Sequence, residues 1–247
     1  MSATYEWIFF DYGGTLTVYD DPAEVPDIPA DTDGQALTDW FAAMDYKIAA
    51  TASELQQVFQ RAVDADEGET NQVDWAWNET FYVHRMRRIY EQLRIPPPHT
   101  DQEMSAAWHF CFWQIFKRTG KRACEGVIGT LTELGKRGYR LGVLSNNNGY
   151  VADTLAYNQT LSFFEIVLDS AREGREKPDP EIFRIAARRA GVPCERIFYV
   201  GDSYPCDVIG ATNAGMDVAW LGGDERPLPA GAVKIDRFAE LLEHLPG

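Results

Sequence analysis

The stretch Trp7-Ile8-Phe9-Phe10-Asp11-Tyr12-Gly13-Gly14-Thr15-Leu16 places an apolar run directly before an aspartate and a pair of glycines. The run at 7–10 is four residues long and ends at a charged side chain, which is typical of a short buried strand. Gly13 and Gly14 then predict a turn, because glycine adopts backbone conformations that other residues disfavour. We therefore expect a buried strand that stops at Asp11.

Strand-like and helix-like segments alternate over the second half of the chain. The runs typical of strands are YRLGVL (139–144), FFEIVL (163–168), RIFYV (196–200), DVAWL (217–221) and AVKI (232–235). Helical stretches separate them; Asp179 and Pro180 are typical of a helix start, and further helices are expected from Pro205 to Gly215 and at about 236–245. Strands separated by helices predict an α/β fold with a doubly wound parallel sheet.

The region from about residue 20 to about residue 117 has a different pattern, helical and rich in aromatic residues. It begins with an acidic, proline-bearing stretch at 19–33 that predicts a linker. The clearest helices are expected at about 74–94 and about 101–118, and the second is apolar on more than one face. These features predict a helical insertion within an α/β domain.

Composition excludes several classes of protein. The chain has 247 residues, of which 45% are hydrophobic and 25% charged, as expected for a globular protein with a sizeable core. Its 23 basic and 38 acidic residues give a net charge of −15, which argues against nucleic acid and anionic membranes as partners. The four cysteines form no C-x-x-C pair and no apolar run approaches about 18 residues, so we expect a cytoplasmic protein that is neither secreted nor membrane-spanning.

Polar side chains lie where the predicted strands end. Asp11, Ser145 and Asp202 follow strands, Lys177 lies on the loop after the third strand, and Asp207 comes shortly after Asp202. Ligands of such sheets bind beyond the carboxyl ends of the strands. Carboxylates, a hydroxyl and an ammonium at one point suit Mg²⁺ and a phosphoryl group, because Mg²⁺ prefers hard oxygen ligands and cationic groups offset phosphate charge. We expect these side chains to converge.

The same residues resemble the motifs of the haloacid dehalogenase superfamily. The matching segments are 10–16 (FDYGGTL), Ser145-Asn146, Lys177-Pro178, and Gly201-Asp202 followed by Asp207. They run through the chain in the order of the family. The resemblance implies a three-layer α/β core made of residues 1–18 and 119–247, an α-helical cap made of residues 19–118, and an active site at the cap–core junction. It also implies a hydrolase, most often an Mg²⁺-dependent phosphatase.

Carried over residue by residue, the resemblance implies that Asp11 is the nucleophile and forms an aspartyl-phosphate. It further implies that Mg²⁺ is held by Asp11, Asp202 and the backbone carbonyl of Gly13. A cation is needed there because a carboxylate that attacks a phosphate meets like-charge repulsion.

The remaining motif residues are expected to serve the substrate, a small phosphorylated molecule; partner proteins are left unassigned. Ser145 would donate a hydrogen bond to a phosphoryl oxygen, and Lys177 would pair with the nucleophile and with the charge that develops in transfer. Asp207 would orient the metal and its waters. Three neighbouring residues are expected to contact substrate: Tyr12, Gly14 and Asn146.

One position departs from most phosphatases of the family. They carry a second aspartate two residues after the nucleophile, and here that position is Gly13. That aspartate protonates the leaving oxygen, and loss of general acid–base catalysis typically costs about 10²- to 10⁴-fold in rate. Either another group such as Asp20, Asp21 or a cap residue supplies the proton, or the substrate has a good leaving group, or catalysis has been lost.

Three alternative functions follow from this departure. The dehalogenases of the family also lack that aspartate but are metal-free, and the presence of Asp202 and Asp207 argues against them. Phosphonoacetaldehyde hydrolases, which cleave a C–P bond, use a cap lysine to form a Schiff base, and Lys47 is the only lysine between Asp20 and Phe116. In the third alternative, a dehalogenase-like binding protein of low activity keeps its metal and phosphate pocket and offers its apolar cap to a partner protein.

Overall fold

The computed structural model describes residues 5–18, 31–69, 79–119, 122–147 and 149–245. The chain divides into two compact units. One unit consists of Met1–Val18 and Arg122–Gly247, and we call it the α/β unit. The other consists of Tyr19–Lys121, and we call it the helical unit.

The strands and helices of the described residues are as follows. The strands are β1 (Trp7–Phe10), β2 (Thr17–Val18), β3 (Arg122–Ala123), β4 (Arg140–Ser145), β5 (Ile166–Asp169), β6 (Ile197–Gly201), β7 (Asp217–Leu221) and β8 (Ala232–Ile235). The helices are α1 (Thr32–Ala43), α2 (Ala52–Glu69), α3 (Glu79–Leu93), α4 (Asp101–Thr119), α5 (Val127–Lys136), α6 (Val151–Tyr157), α7 (Ser170–Glu173), α8 (Pro180–Ala190), α9 (Gly210–Ala214) and α10 (Leu241–His244). Within this part of the chain, no helix combines the length and the apolar character needed to cross a membrane.

Among the described residues, six strands form one parallel sheet in the order β5-β4-β1-β6-β7-β8. The first strand of the chain therefore lies inside the sheet, with β4 on one side and β6 on the other. The chain adds strands outward from β1 in both directions, which is the doubly wound arrangement that the alternating pattern predicted. The short strands β2 and β3 form a separate antiparallel pair.

The side chains of β1 explain why the α/β unit has three layers. Ile8 and Phe10 pack on the face covered by α5 and α6, whereas Trp7 and Phe9 pack on the face covered by α8 and α9. Side chains alternate between the two faces of a strand, so a run of four apolar residues supplies both faces. All four are buried. The predicted three-layer α/β fold with a buried first strand is confirmed.

Two predicted elements differ in their boundaries. The run at 163–168 contributes only Ile166–Asp169 to the sheet, because the preceding Leu161–Phe163 forms a 3₁₀ turn. The helix expected from Pro205 begins instead as a π-helical turn over Tyr204–Ile209 and is α-helical only in α9. The carbonyl of Ser203 accepts hydrogen bonds from two successive amides in this turn, at 2.8 and 3.3 Å, and so widens it.

The C-terminal segment and the linker also differ from expectation. The helix expected at 236–245 is a 3₁₀ turn, Phe238–Glu240, followed by the single turn α10. The linker expected at 19–33 overlaps α1, which already begins at Thr32, and residues 19–30 lie outside the described part of the chain.

The helical unit has an apolar core of its own, shared by α1 to α4. Ile89 of α3 and Met104 of α4 are buried in it. The start expected for the third helix, near residue 74, lies outside the described residues, and its end at Leu93 is close to expectation. A second face of α4 carries rings in mutual contact, Phe112, Trp113 and Phe116, which accounts for the apolar residues on more than one face.

Packing across β1 and β4 gives a prediction for stability. Gly142 lies opposite Phe9, and a Cβ there would lie 2.5 Å from the Phe9 ring. Gly142→Ala is expected to lower the free energy of unfolding by about 1–3 kcal/mol through overpacking. Gly135→Ala is the control, because a Cβ there meets open space on an exposed helix face, and it is expected to stabilise by about 0.5–1 kcal/mol. Urea denaturation measures both, and equal effects would contradict the packing argument.

Candidate active site

Strand register brings the predicted site residues to one edge of the sheet. Phe10 of β1 is level with Val143 of β4 and with Val200 of β6. The amide of Asp11 continues the ladder and donates to the carbonyl of Val200 at 2.8 Å. Asp11, the last residue of β4 and the residue after β6 therefore emerge side by side, at the carboxyl ends of three adjacent strands.

A buried ammonium lies among the carboxylates at this edge. Lys177 Nζ is 2.8 Å from Asp11 Oδ1, 2.6 Å from Asp207 Oδ1 and 3.0 Å from the hydroxyl of Tyr199. The side chains of Lys177 and Asp207 are only 3% and 0% exposed. A charge removed from water in this way is tolerated only when it is paired and hydrogen-bonded. The structure thus brings together the lysine and two of the predicted aspartates.

Burial and neighbouring charges shift the pKa values of Lys177 and Asp202 in this cluster. Burial acts to lower the pKa of Lys177, but Asp11 and Asp207 outweigh it and hold this pKa well above its usual value. Asp202 is raised to a pKa of about 6, first by burial and then by the charges of Asp11 and Asp207. The excess of negative charge around Asp202 favours a cation beside it.

The carboxylates fit the requirements of a small divalent cation. Asp11, Asp202 and Asp207 each offer an oxygen, and these atoms lie within 4.8 Å of one another. Asp207 already accepts from Lys177 and, at 2.9 Å, from the amide of Ser203. Asp11 and Asp202 are therefore the two carboxylates best placed to hold a metal, and their oxygens suit Mg²⁺.

The loop after β1 is shaped around Asp202. Gly14 has a φ of 82°, and a Cβ at this position would overlap the Asp202 carboxylate. The hydroxyl of Thr15 donates to Asp202 Oδ1 at 3.2 Å. Gly13 forms an isolated bridge with Thr17, and the amide of Gly14 donates to the carbonyl of Thr17 at 2.8 Å. Gly14 was expected to contact substrate, and the structure places it where it leaves room for Asp202.

Asn146, another expected substrate contact, pairs with the backbone of Lys177. Its Oδ1 accepts from the amide of Lys177 at 2.7 Å, and its Nδ2 donates to the carbonyl of Lys177 at 2.8 Å. Both halves of the side-chain amide are used in this way. Asn146 therefore ties the loop after β4 to the residue that supplies the ammonium, and the peptide bond that follows Lys177 is cis.

Tyr12 lies in the apolar core of the α/β unit. The residue is 1% exposed, and its side chain belongs to the same buried cluster as Phe10 and Leu16. Its carbonyl accepts the amides of Leu16 and Thr17, each at 3.0 Å, and so closes the turn after β1. Tyr12 was also expected to contact substrate; the structure places its side chain among the packed residues of this cluster, and the substrate contact stays a prediction.

Three residues of the site went unnoticed in the sequence. Asp169 accepts the amides of Gly149 and Val151, at 2.8 and 3.2 Å, and so holds the loop that follows Ser145. Its place at the end of an apolar run was a usable signal. Tyr199, and Trp220, which donates to the carbonyl of Asp202 at 2.8 Å, lie inside apolar strands whose pattern indicates burial alone.

Comparison with protein families decides the membership of the chain. The family described as haloacid dehalogenase-like hydrolase matches residues 5–215. This chain belongs to the haloacid dehalogenase-like hydrolases. The family assignment made from the motifs is thereby confirmed, and the carboxylate and lysine cluster lies within the matched residues.

Individual relatives of this hydrolase match part of its length. It is 41% identical to haloacid dehalogenase-like hydrolase domain-containing protein 3 of Mus musculus over 136 residues, which cover 54% of this chain and 51% of that protein. It is 43% identical to a glyceraldehyde 3-phosphate phosphatase of Methanothermobacter thermautotrophicus over 104 residues, which cover 42% of this chain and 46% of that protein. The chain thus spans about half the length of these curated relatives.

A solved structure matches the whole chain. The 2-haloacid dehalogenase of Pseudomonas syringae aligns over 98% of both chains with a TM-score of 0.65 at 22% sequence identity. Likeness at this identity shows the shared fold and does not decide between dehalogenase and phosphatase chemistry.

The position of Gly14 gives a prediction for the hydrolase. Gly14→Ala forces Asp202 to move, so Mg²⁺ affinity measured by calorimetry is expected to fall about tenfold or more, as when other supporting residues of metal sites are lost. Gly138→Ala is the matched control, since Gly138 has a φ of 88° but open space around its Cβ. It carries a similar backbone cost, about 1–2 kcal/mol, without touching the site.

In the same assay, Asp202→Ala is expected to bind Mg²⁺ no more tightly than Gly14→Ala does. Equal Mg²⁺ binding by Gly14→Ala and Gly138→Ala would show that the contact between Gly14 and Asp202 does not shape the site.

Proposed function

We propose that this protein is an Mg²⁺-dependent phosphatase that hydrolyses a small phosphorylated molecule through a phosphoryl-enzyme intermediate on Asp11. The observation that carries the proposal is the buried contact of Lys177 with Asp11, next to Asp202, in a chain of this hydrolase family. A relative named glyceraldehyde 3-phosphate phosphatase, 43% identical over the matched residues, supports a small phosphate ester as substrate.

Asp11 is the proposed nucleophile. It lies at the carboxyl end of β1, and Lys177 fixes one of its oxygens at 2.8 Å. A carboxylate held in one orientation attacks with less loss of entropy than a mobile one. Attack on phosphorus forms an acyl phosphate on Asp11 while the P–O bond to the leaving group breaks; the leaving oxygen takes a proton from water or another acid, and water then hydrolyses the intermediate to Asp11 and phosphate.

Asp11, Asp202 and the backbone carbonyl of Gly13 are the proposed ligands of Mg²⁺. When bound, the ion would supply the positive charge that offsets repulsion between the carboxylates and a phosphate. The overlap that a side chain at position 14 would cause with Asp202 supports this assignment, because the protein leaves that carboxylate space at the edge of the sheet.

Other residues of the edge would bind or support the phosphoryl group. Ser145 ends β4 beside β1 and would donate its hydroxyl to a phosphoryl oxygen. Asp207 would support the cluster through Lys177 and the amide of Ser203. Asn146 would act by holding Lys177.

The helical unit is the proposed cap, and it would select the substrate. It has its own core, and loops and inserted units on a common fold are where specificity varies. The expected proton donors Asp20 and Asp21 lie outside the described residues. Without an acid at Gly13, the proposed enzyme favours substrates whose leaving group needs little protonation.

Two alternatives remain beside the phosphatase, the C–P hydrolase and the binding protein, and neither gains a specific observation. Lys47 is exposed on the segment between α1 and α2, whereas lysines that form Schiff bases are activated by desolvation. A binding protein of low activity would keep the same cluster, so turnover itself separates that alternative from the proposal.

The nucleophile can be tested directly. With Mg²⁺ and a panel of phosphate esters, Asp11→Asn is expected to lower kcat on the order of 10³-fold or more, because an amide is a poor nucleophile. Asp217→Asn is the control. It makes the same change at the start of β7, and the amino ends of the parallel strands lie away from the carboxyl ends where Asp11 is found. Near-normal turnover by Asp11→Asn would exclude the proposed intermediate, and no turnover by the unaltered protein would favour the binding protein.

The glycine at position 13 gives a second test. The rate of the unaltered enzyme is expected to depend steeply on leaving-group pKa, with aryl and acyl phosphates hydrolysed well and alkyl phosphates poorly. Gly13→Asp is expected to raise turnover of alkyl phosphates by about tenfold or more, below the full general-acid factor because the surroundings are not shaped for that side chain. A flat dependence would show that another group donates the proton, and a folded variant without gain would show that Gly13 is not limiting.

A further inference from the structure

The hydroxyl of Tyr199 completes the coordination of the buried ammonium. Tyr199 lies in β6, is fully buried, and is 3.0 Å from Lys177 Nζ. The same hydroxyl is 2.8 Å from the carbonyl of Leu144, the residue before Ser145, and 3.3 Å from Asp207 Oδ1. A strand residue of the core thus touches the lysine, one aspartate and the end of β4.

The direction of these hydrogen bonds follows from the groups involved. An ammonium only donates, so the oxygen of Tyr199 accepts from Lys177. A carbonyl only accepts, so the single proton of Tyr199 goes to Leu144 at the shorter distance of 2.8 Å. The phenol therefore enters the cluster as a neutral acceptor and adds no negative charge to the carboxylates already there.

The number of acceptors around Lys177 equals the number of its donors. An ammonium carries three N–H groups, and Asp11, Asp207 and Tyr199 lie at 2.8, 2.6 and 3.0 Å. All three N–H directions are then used by the protein. The ammonium is thereby held against Asp11 from three sides.

The ring of Tyr199 is itself held in place. Phe183 of α8 packs against it edge to face, with ring centroids 5.2 Å apart and an angle of 75° between the planes. Gly210 makes this possible, because a Cβ at that position would lie 2.6 Å from the Phe183 ring. Since aromatic side chains in such packing rotate little, the position of the hydroxyl is set by the core.

We propose that Tyr199 is a positioning residue: by accepting the third N–H of Lys177 it directs the ammonium onto the nucleophile Asp11. The effect on catalysis rests on the proposed phosphatase function, whereas the effect on the lysine does not. In this arrangement Lys177 acts on Asp11 from one fixed position, while Ser145 and the metal ligands would contact the phosphoryl oxygens.

Tyr199→Phe removes one oxygen and keeps the ring. Because a misplaced nucleophile costs rate and the ground-state contacts are unaltered, kcat is expected to fall about tenfold or more while KM does not rise. Tyr90→Phe is the matched control, since it removes an equally buried hydroxyl that accepts from Trp40 at 2.8 Å in the helical unit. It is expected to leave both kcat and KM within about twofold. Such a change is smaller than the change in rate expected when a hydrogen bond to a charged group is lost.

A measurement without substrate separates this inference from the proposed function. In the ¹⁵N-labelled protein, the side-chain ammonium of Lys177 is expected to give a protected signal, with magnetisation transfer to the ring protons of Tyr199. Tyr199→Phe is expected to broaden or shift this signal, and Tyr90→Phe to leave it unchanged. Magnetisation transfer from Lys177 to Tyr199 in the unaltered protein tests the contact even if Tyr199→Phe does not fold.

The outcomes are distinct. An unchanged ammonium signal in Tyr199→Phe, a missing transfer in the unaltered protein, or an unchanged kcat in an active Tyr199→Phe would each overturn the inference. A rise in KM at constant kcat would overturn it as well, because it would place the effect on binding. If no phosphate ester is hydrolysed by the unaltered protein, the proposed function fails and the ammonium signal alone decides the role of Tyr199.

Discussion

The ammonium of Lys177 lies inside the protein, between Asp11 and Asp207, and the rest of the site depends on this contact. Each buried ion costs several kcal/mol of desolvation, which only close and well-oriented partners offset. Two opposite charges 4 Å apart attract by about 4 kcal/mol at the effective dielectric constant of a protein. The lysine therefore needs both carboxylates, and the carboxylates need the lysine, because without it three of them would share one edge of the sheet.

Backbone hydrogen bonds from side chains hold this charge cluster in place. The side chain of Asn146 forms hydrogen bonds with both the amide and the carbonyl of Lys177. The carboxylate of Asp169 accepts a hydrogen bond from the amide of Gly149, in the loop that follows Ser145. Gly14 and the indole of Trp220 shape and fix the segment around Asp202. Side chains used in this way have fewer hydrogen-bonding groups left for a ligand. Their contacts set the positions of the charged groups around Lys177.

The glycine at position 13 separates two parts of the proposed reaction, nucleophilic attack and protonation of the leaving group. Formation of a phosphoryl-enzyme requires a nucleophile and positive charge, whereas protonation of the leaving oxygen requires an acid. The cluster around Lys177 contains a carboxylate and a positive charge, as formation of a phosphoryl-enzyme requires. Position 13 carries no acid that could protonate the leaving oxygen. The proposed reaction therefore rests on the groups around Lys177, whereas the nature of the leaving group bears on the step for which position 13 supplies no acid.

The sequence by itself determined the alternation of strands and helices along the chain, the buried first strand and the polar residues at the strand ends. Those signals are local, and parallel strands joined by helices can bring their carboxyl ends together in few ways. Only the tertiary structure decided which groups Tyr12, Asn146 and Tyr199 contact, and that the helix expected at Pro205 opens as a π-helical turn. Asn146 meets a backbone 31 residues away, and Tyr199 meets Lys177 across 22 residues. Such contacts depend on strand register and on the path of whole loops, and no local pattern of residues encodes either.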